Sequence, residues 1–397
     1  MMSKNTLSNK LPIAQIIPKK TRIRLILVWM IVVGFMFFGD SMLSSSVSPI
    51  ISVMLFLVLL ATIIAAAFGV VREADELAHR LGEPYGTLIL TLSVVAIEVI
   101  LISAVMLGPG ENPTIGKDSI FSVMMIIMNL VIGLCILSGG LKYGEQEYNA
   151  QGAVSYLGMI IMLGGIGMML PNFVKGAGGG SFSHMQAIVL SVLIVVLYGL
   201  FLLFQMTRYR HLYVQPQSGS LDTLFKERVL IATGEKKNDN KNSVDSKKEI
   251  WIRSVVLIIL ILPIVLLSHH MAVVVDYGIE AANLPPLLGG ILIAVIVFTP
   301  ESLTAVRAAL NNEFQRVVNL CHGAFVSTVG LTIPSILIIG LCTGKTVLFG
   351  MTTTETFLFV ITLLLSVISF SGKRTTPIVG IMHLVLFAVF MLLVFNP

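Results

Sequence analysis

The sequence predicts an all-α polytopic membrane protein, and three observations carry that reading: composition, run length and the placement of charge. Of its 397 residues, 56% are hydrophobic and only 12% charged, whereas soluble domains carry about 25% charged residues. Apolar runs near the roughly 20 residues that cross a bilayer as a helix recur about eleven times. The charged residues lie between those runs. A soluble enzyme, a disordered chain and a fibrous one are thereby excluded. The net charge of +5 is scattered over the connecting segments rather than gathered on one face, so nucleic acid is not an expected partner and the lipid bilayer is. Cys135, Cys321 and Cys342 stand far apart in apolar surroundings, without the paired spacing of a zinc or disulfide framework.

In chain order, a leader at 1–23 precedes an extra first helix at 24–42. The apolar core Leu25 to Phe38 after a basic stretch resembles a signal peptide, but the leader is long and lacks a small-x-small cleavage site, so a retained anchor is expected. Spans follow at 50–71, 86–107, 119–138, 153–170 and 185–204, then at 252–270, 287–308, 319–341, 347–371 and 376–395. Lysine and arginine asymmetry orients them. With the N-terminus inside, 23 of the 26 basic residues fall on inner segments, leaving Lys117, Lys175 and Lys345 outside. The C-terminus is then outside, and a prokaryotic inner membrane is the expected location.

The long hydrophilic segment 205–250 is inner and of mixed charge, which favours a flexible cytoplasmic linker; its alternative reading is a regulatory or headgroup contact. It divides the chain into repeats at 50–204 and 251–397, five spans each. An odd number of spans per half makes the halves inverted, as in transporters whose site lies at the midplane between repeats. Gly86 precedes Glu98 by the same interval as Gly289 precedes Glu301, and Gly133-Leu134-Cys135-Ile136 echoes Gly330-Leu331-Thr332-Ile333.

Nearly all carboxylates lie in loops or at span ends, but Glu98 and Glu301 sit near the centres of the third and eighth spans, corresponding members of the two halves. A charge at that depth costs about 2.5–3.5 kcal/mol on insertion scales and is seldom kept without use. Two facing carboxylates suit a hard cation: calcium takes six to eight oxygens at about 2.3–2.6 Å. Thr91, Ser93, Asn129, Thr299, Ser302, Thr304, Ser327 and Thr328 are candidate further ligands or gate residues, with backbone carbonyls. Pro300 lacks an N–H and frees a carbonyl one turn upstream, so the eighth helix is expected to kink or break there, and Pro334 to break the ninth. Without a cation the two carboxylates repel, so at least one holds a proton; metal and protons then displace each other.

Other groups read as structural. His322 is expected near a helix end, His269-His270 at an outer interface, and Met124, Met125 and Met128 in a lipid-facing or packing stripe. Glu73, Asp75, Glu76 and Glu83 are expected in a solvated inner loop. No His-Glu-x-x-His motif and no aspartate in a span core points to an enzyme or a cofactor.

The block Leu81-Gly82-Glu83-Pro84-Tyr85-Gly86-Thr87-Leu88-Ile89-Leu90-Thr91-Leu92-Ser93 running into Glu98 resembles the first repeat of the bacterial ChaA-type sodium/calcium–proton antiporters. Pro300-Glu301-Ser302-Leu303-Thr304-Ala305-Val306-Arg307-Ala308-Ala309, Gln315 to Leu320 and Ser327 to Pro334 resemble the second. These antiporters form part of the cation/proton exchanger branch of the calcium/cation antiporter superfamily. The resemblance implies one extra helix plus two inverted five-helix repeats, export of calcium or sodium against protons, and central acidic residues at Glu98 and Glu301. It departs where Val95-Ala96-Ile97 and Phe298-Thr299-Pro300 stand in place of Gly-Asn, and at Cys321-His322. A sodium(potassium)/proton antiporter with little calcium activity is the nearest alternative, and a cation channel a more distant one.

Overall fold

Hydrocarbon offers a backbone no hydrogen-bond partner, so each apolar run closes its own ladder as a helix. The computed structural model describes residues 17–42, 49–81, 85–108, 112–175, 179–216 and 243–396. The first helices are α1 (Lys19–Met42), α2 (Pro49–Leu81) and α3 (Tyr85–Met106). Then come α4 (Ile115–Tyr143), α5 (Ala150–Asn172) and α6 (His184–Met206). The remainder are α7 (Ser243–Ala281), α8 (Leu287–Leu310), α9 (Phe314–Thr343), α10 (Thr353–Phe370) and α11 (Pro377–Phe395). Ten are long and apolar enough to cross a membrane, and α3 is apolar over Thr91–Met106. A short antiparallel pair, β1 (Gln146–Glu147) with β2 (Arg374–Thr375), ties the α4–α5 turn to the α10–α11 turn.

Several expectations change. Residues 1–16, Glu83 and linker residues 217–242 lie outside the described residues. Glu73, Asp75 and Glu76 are not in a loop: α2 continues to Leu81, and Glu73 is buried against Arg253 of α7 at 2.9 Å. The linker is shorter than expected because α7 begins at Ser243. That helix also runs on to Ala281, which places His269 and His270 inside it, with His270 edge-on to Phe35. Lys117 is not in an outer loop but in the first turn of α4, buried between Asp118 (2.9 Å) and Glu355 of α10 (2.6 Å). Glu73 and Glu76 meet their cation, Arg253, on a helix remote in sequence, which no local pattern reveals.

Pro300 neither breaks nor ends α8, which is helical on both sides of it. The interruptions fall elsewhere, in π-helical turns at Met125–Val131 of α4 and Thr328–Thr332 of α9. Pro334 follows the second turn, two residues past its end, in the α-helical stretch that continues from it. Met125 and Thr328 are separated by the same interval as Glu98 and Glu301. The Gly133/Gly330 echo is in a different register: Gly330 lies inside its π turn and Gly133 just past the other.

Packing crosses between the two stretches of chain flanking the linker. α2 lies along α7, α3 packs on α9, and α4 packs on α8 and α11. The α4–α11 contact is close because both helices present glycine: a Cβ on Gly380 would meet the Gly133 carbonyl at 2.8 Å. Loops collect at two ends. At one end Gln146 bonds the Ala309 carbonyl and Lys142 the Leu310 carbonyl. At the other, Leu348 N–H bonds the Pro113 carbonyl and Asn112 bonds Asp276. The first of these is the end that the basic residues assign to the inside.

Gly380→Val should force α11 off α4 and cost about 1–3 kcal/mol, as overpacking does. The measurement is the melting temperature in detergent, with Gly199→Ala as control, since that glycine has nothing within 4 Å of a Cβ. Equal stability in the two variants would contradict the close approach.

Candidate functional site

Glu98 is fully buried at the middle of α3. Its Oε2 accepts a hydrogen bond from Thr328 Oγ1 at 2.9 Å, from the start of the π turn in α9. A π turn accommodates an extra residue and is frequent at functional sites; here it brings Thr328 and Thr332 to one carboxylate. Thr332 turns its hydroxyl toward Glu98 without closing a standard hydrogen bond. Glu301, on α8, lies within electrostatic reach of Glu98. Glu98 Oε1, Glu301 Oε2 and Thr332 Oγ1 are all buried and without a hydrogen-bond partner. Leaving a buried acceptor unmet costs about 1–3 kcal/mol, and more when it is charged. All three are hard oxygen atoms that leave hydrogen-bonding capacity unused among the described residues. Among the described residues, no group of three or more His, Cys, Asp and Glu side chains gathers into a metal cluster.

A cavity of about 570 Å³ leads to this point from the end carrying the basic residues. Thr91, Ser327 and Glu301 line its depth, and Asp75, Arg210, Arg316 and Asn319 line its mouth. Glu301 is partly exposed to it, and Glu98 lies behind. Toward the opposite end Leu101, Val105, Met271, Ile293 and Ile296 close around a void of about 10 Å³. The cavity that reaches Glu301 opens at the first of these ends. Tyr213, in a short 3-10 turn after α6, walls the mouth: its hydroxyl meets Ser155 Oγ at 2.7 Å and its carbonyl accepts from Asn319 at 2.7 Å. Burial pushes the Tyr213 phenol up, opposed in part by the Ser155 hydrogen bond, so it stays neutral at physiological pH.

The candidate ligands separate into groups. Thr328 touches Glu98, while Pro300 and Thr304 line a second cavity that also reaches Glu301. Ser302 shares with Glu301 a small void walled by Ile127 and Val131 of the α4 π turn. Ser93, Thr299, Ser302, Thr304 and Ser327 all spend their hydroxyl protons on carbonyls of their own helices. Their oxygen lone pairs remain, but their orientation is set by the helix. Asn129 belongs to another network: it donates to Thr362 at 3.0 Å, and its Oδ1 lies 3.2 Å from His383 Nδ1.

His322 is not near a helix end. It lies within α9, fully buried, edge-on to Phe370 at 4.6 Å, and neither ring nitrogen has a hydrogen-bond partner. Sequence reasoning also missed Thr332, His383 and the Lys117–Glu355 pair. The spacing of Thr328 and Thr332, one helical turn apart beside a glycine, was the available signal for the first.

In a Cys342→Ser background, Thr91→Cys and Ser327→Cys should react with a small membrane-impermeant thiol reagent from one face only. Ser366→Cys, buried on α10, should react from neither. Equal labelling of the cavity positions from both faces would contradict single-sided access.

With this geometry in place, the likenesses of the chain are informative. The family model described as sodium/calcium exchanger protein matches residues 51–207 and 253–396, on both sides of the linker. The sodium-potassium/proton antiporter ChaA of Escherichia coli (strain K12) is 34% identical over 352 residues, covering 89% of this chain and 91% of that protein. The Ca(2+)/H(+) antiporter ChaA of Bacillus subtilis (strain 168) is 24% identical over 295 residues, 73% of this chain and 77% of that protein. In fold, the chain resembles native YfkE with a TM-score of 0.69 at 20% identity, covering 94% of this chain and all of that one. It resembles the H+/Ca2+ exchanger CAX with a TM-score of 0.66 at 13% identity, covering 94% and 89% of the two chains. The matched segments include both helices that carry the buried glutamates, and the chain belongs to the sodium/calcium exchanger family.

Proposed function

We propose that this protein is a cation/proton antiporter that exchanges calcium for protons at a site formed by Glu98 and Glu301. One observation carries the reading: each glutamate keeps one buried carboxylate oxygen with no hydrogen-bond partner among the described residues, and Glu301 lines a cavity that opens at the end carrying the basic residues. Charge balance then favours a divalent ion. Two carboxylates in a low-dielectric interior are neutralised by one calcium ion or by two protons, and each occupant excludes the other. Sodium or potassium would leave one carboxylate charged unless a proton stayed with it.

The residues divide the work. Thr328 holds Oε2 of Glu98, so that Oε1 is presented to the ion. Glu301 meets the cavity and is the first carboxylate that an arriving cation or proton encounters. Oxygens of Thr332, Ser302 and Ser327, backbone carbonyls and water complete the shell. The two stretches of chain are inverted five-helix repeats, and the conformation described is open to the cytoplasm, with the N-terminus inside and the C-terminus outside an inner membrane. Exchange follows when α3 and α8 rearrange so that the cavity closes and the apolar seal at Leu101, Val105 and Ile293 opens.

A second reading, sodium(potassium)/proton exchange with little calcium transport, is favoured by the name of the relative at 34% identity. Everted vesicles holding a proton gradient separate the two: calcium should dissipate it at lower concentration than sodium or potassium. Glu98→Gln and Glu301→Gln should each abolish the cation-dependent proton flux while leaving the inserted, folded protein unchanged in amount. Wild-type rates in either variant would refute the site, and dissipation by sodium alone would favour the second reading.

A further inference from the structure

A second cavity, of about 390 Å³, adjoins the first at Asp75, Arg316 and Leu320. Four arginines from four helices line it: Arg24 of α1, Arg72 of α2, Arg307 of α8 and Arg316 of α9. The carboxylates along its walls are Asp75 and Glu301, and the latter is claimed by the cation site. Arg316 has a partly exposed partner in Glu313 at 3.3 Å. Among the described residues, no carboxylate lies within salt-bridge range of Arg24, Arg72 or Arg307. Glu73 is near, but Arg253 holds it at 2.9 Å and Thr21 donates to it. Arg24 and Arg72 are close enough to repel, and Arg24 Nη1 is buried with no hydrogen-bond partner.

An inside bias of basic residues explains arginines at this end of the helices. It does not require four of them to share one cavity: Arg72, Arg307 and Arg316 are exposed and Arg24 half-buried, and an anion entering between them would lower a repulsion that solvent only partly screens. Apart from Thr304 the remaining lining is apolar, with Phe68, Val71 and Leu303 among it, and Leu303 stands 46% exposed. Guanidinium groups form paired hydrogen bonds to phosphate oxygens. Basic pockets between helices at the cytoplasmic side are known to hold acidic headgroups.

We infer that this cavity is an anion site for a phosphate group, occupied by the headgroup of an acidic phospholipid of the adjoining leaflet. Because the same wall borders the transport cavity at Arg316, bound phosphate offsets the positive field that a cation crosses on its way to Glu301. Only this last step rests on the exchange reading; binding of the anion does not.

The test uses the full chain purified and relipidated with phosphatidylcholine alone or with added phosphatidylglycerol, and mass spectrometry of the lipid retained after delipidation. Wild-type protein should retain phosphatidylglycerol preferentially. Arg72→Gln with Arg307→Gln should weaken retention by about fivefold per arginine, and the Arg72→Lys, Arg307→Lys pair, which keeps the charge, should lie between. Excess inorganic phosphate supplies the second arm: retention that resists it identifies the lipid as the ligand, and displacement identifies a site that also takes free phosphate. Equal retention by wild type and the glutamine pair overturns the inference. In proteoliposomes, phosphatidylglycerol should lower the apparent KM of the wild type for calcium and leave the glutamine pair unaffected. Selective retention without any cation-dependent flux would sink the exchange reading and leave the anion site standing.

Discussion

Two buried carboxylate oxygens, one on Glu98 and one on Glu301, with no hydrogen-bond partner among the described residues, set the conditions for the rest of this molecule. A bare charge in such surroundings is not tolerated, so the pair must always be met by protons, by a metal ion, or by one of each. A cavity reaches Glu301 from one end, apolar side chains pack toward the other, and a widened turn in α9 supplies the hydroxyl that bonds the deeper carboxylate.

The contrast with the other buried charges sharpens the point. Lys117 lies between Asp118 and Glu355, and Arg253 between Glu73 and Glu249, each acid within 3.1 Å of its cation. Those clusters are closed: they join α4 to α10 and α2 to α7 near the two ends of the bundle and leave no acid without a partner. A buried pair of that kind contributes little net stability but is expensive to break, which suits elements that must stay registered. The two glutamates have the opposite arrangement: among the described residues, no cation lies within salt-bridge range of Glu98 or Glu301, although four arginines share a cavity wall with Glu301.

The two halves of the site are not equal. Glu98 faces a turn that begins with Thr328, whereas the matching turn in α4 begins with Met125 and walls the Glu301 side with Ile127 and Val131. One carboxylate is therefore held by a hydroxyl and lies behind; the other is unheld and meets the cavity. A conformational change that reversed the bundle would not simply exchange their surroundings.

The sequence by itself determined the number and order of the helices and singled out Glu98 and Glu301, because hydropathy is additive along a chain and a carboxylate within an apolar run is conspicuous there. It also exposed Pro300, yet could not show that α8 tolerates it. Tertiary structure alone decided which hydroxyl meets which carboxylate, that Asn129 turns to His383 instead, and that Lys117 and Glu73 are ion-paired rather than solvated. Those outcomes depend on contacts between residues more than a hundred positions apart and on two π turns that shift the register of side chains. Neither leaves a mark in local periodicity, since a π turn is composed of the same apolar residues as the helix on either side of it.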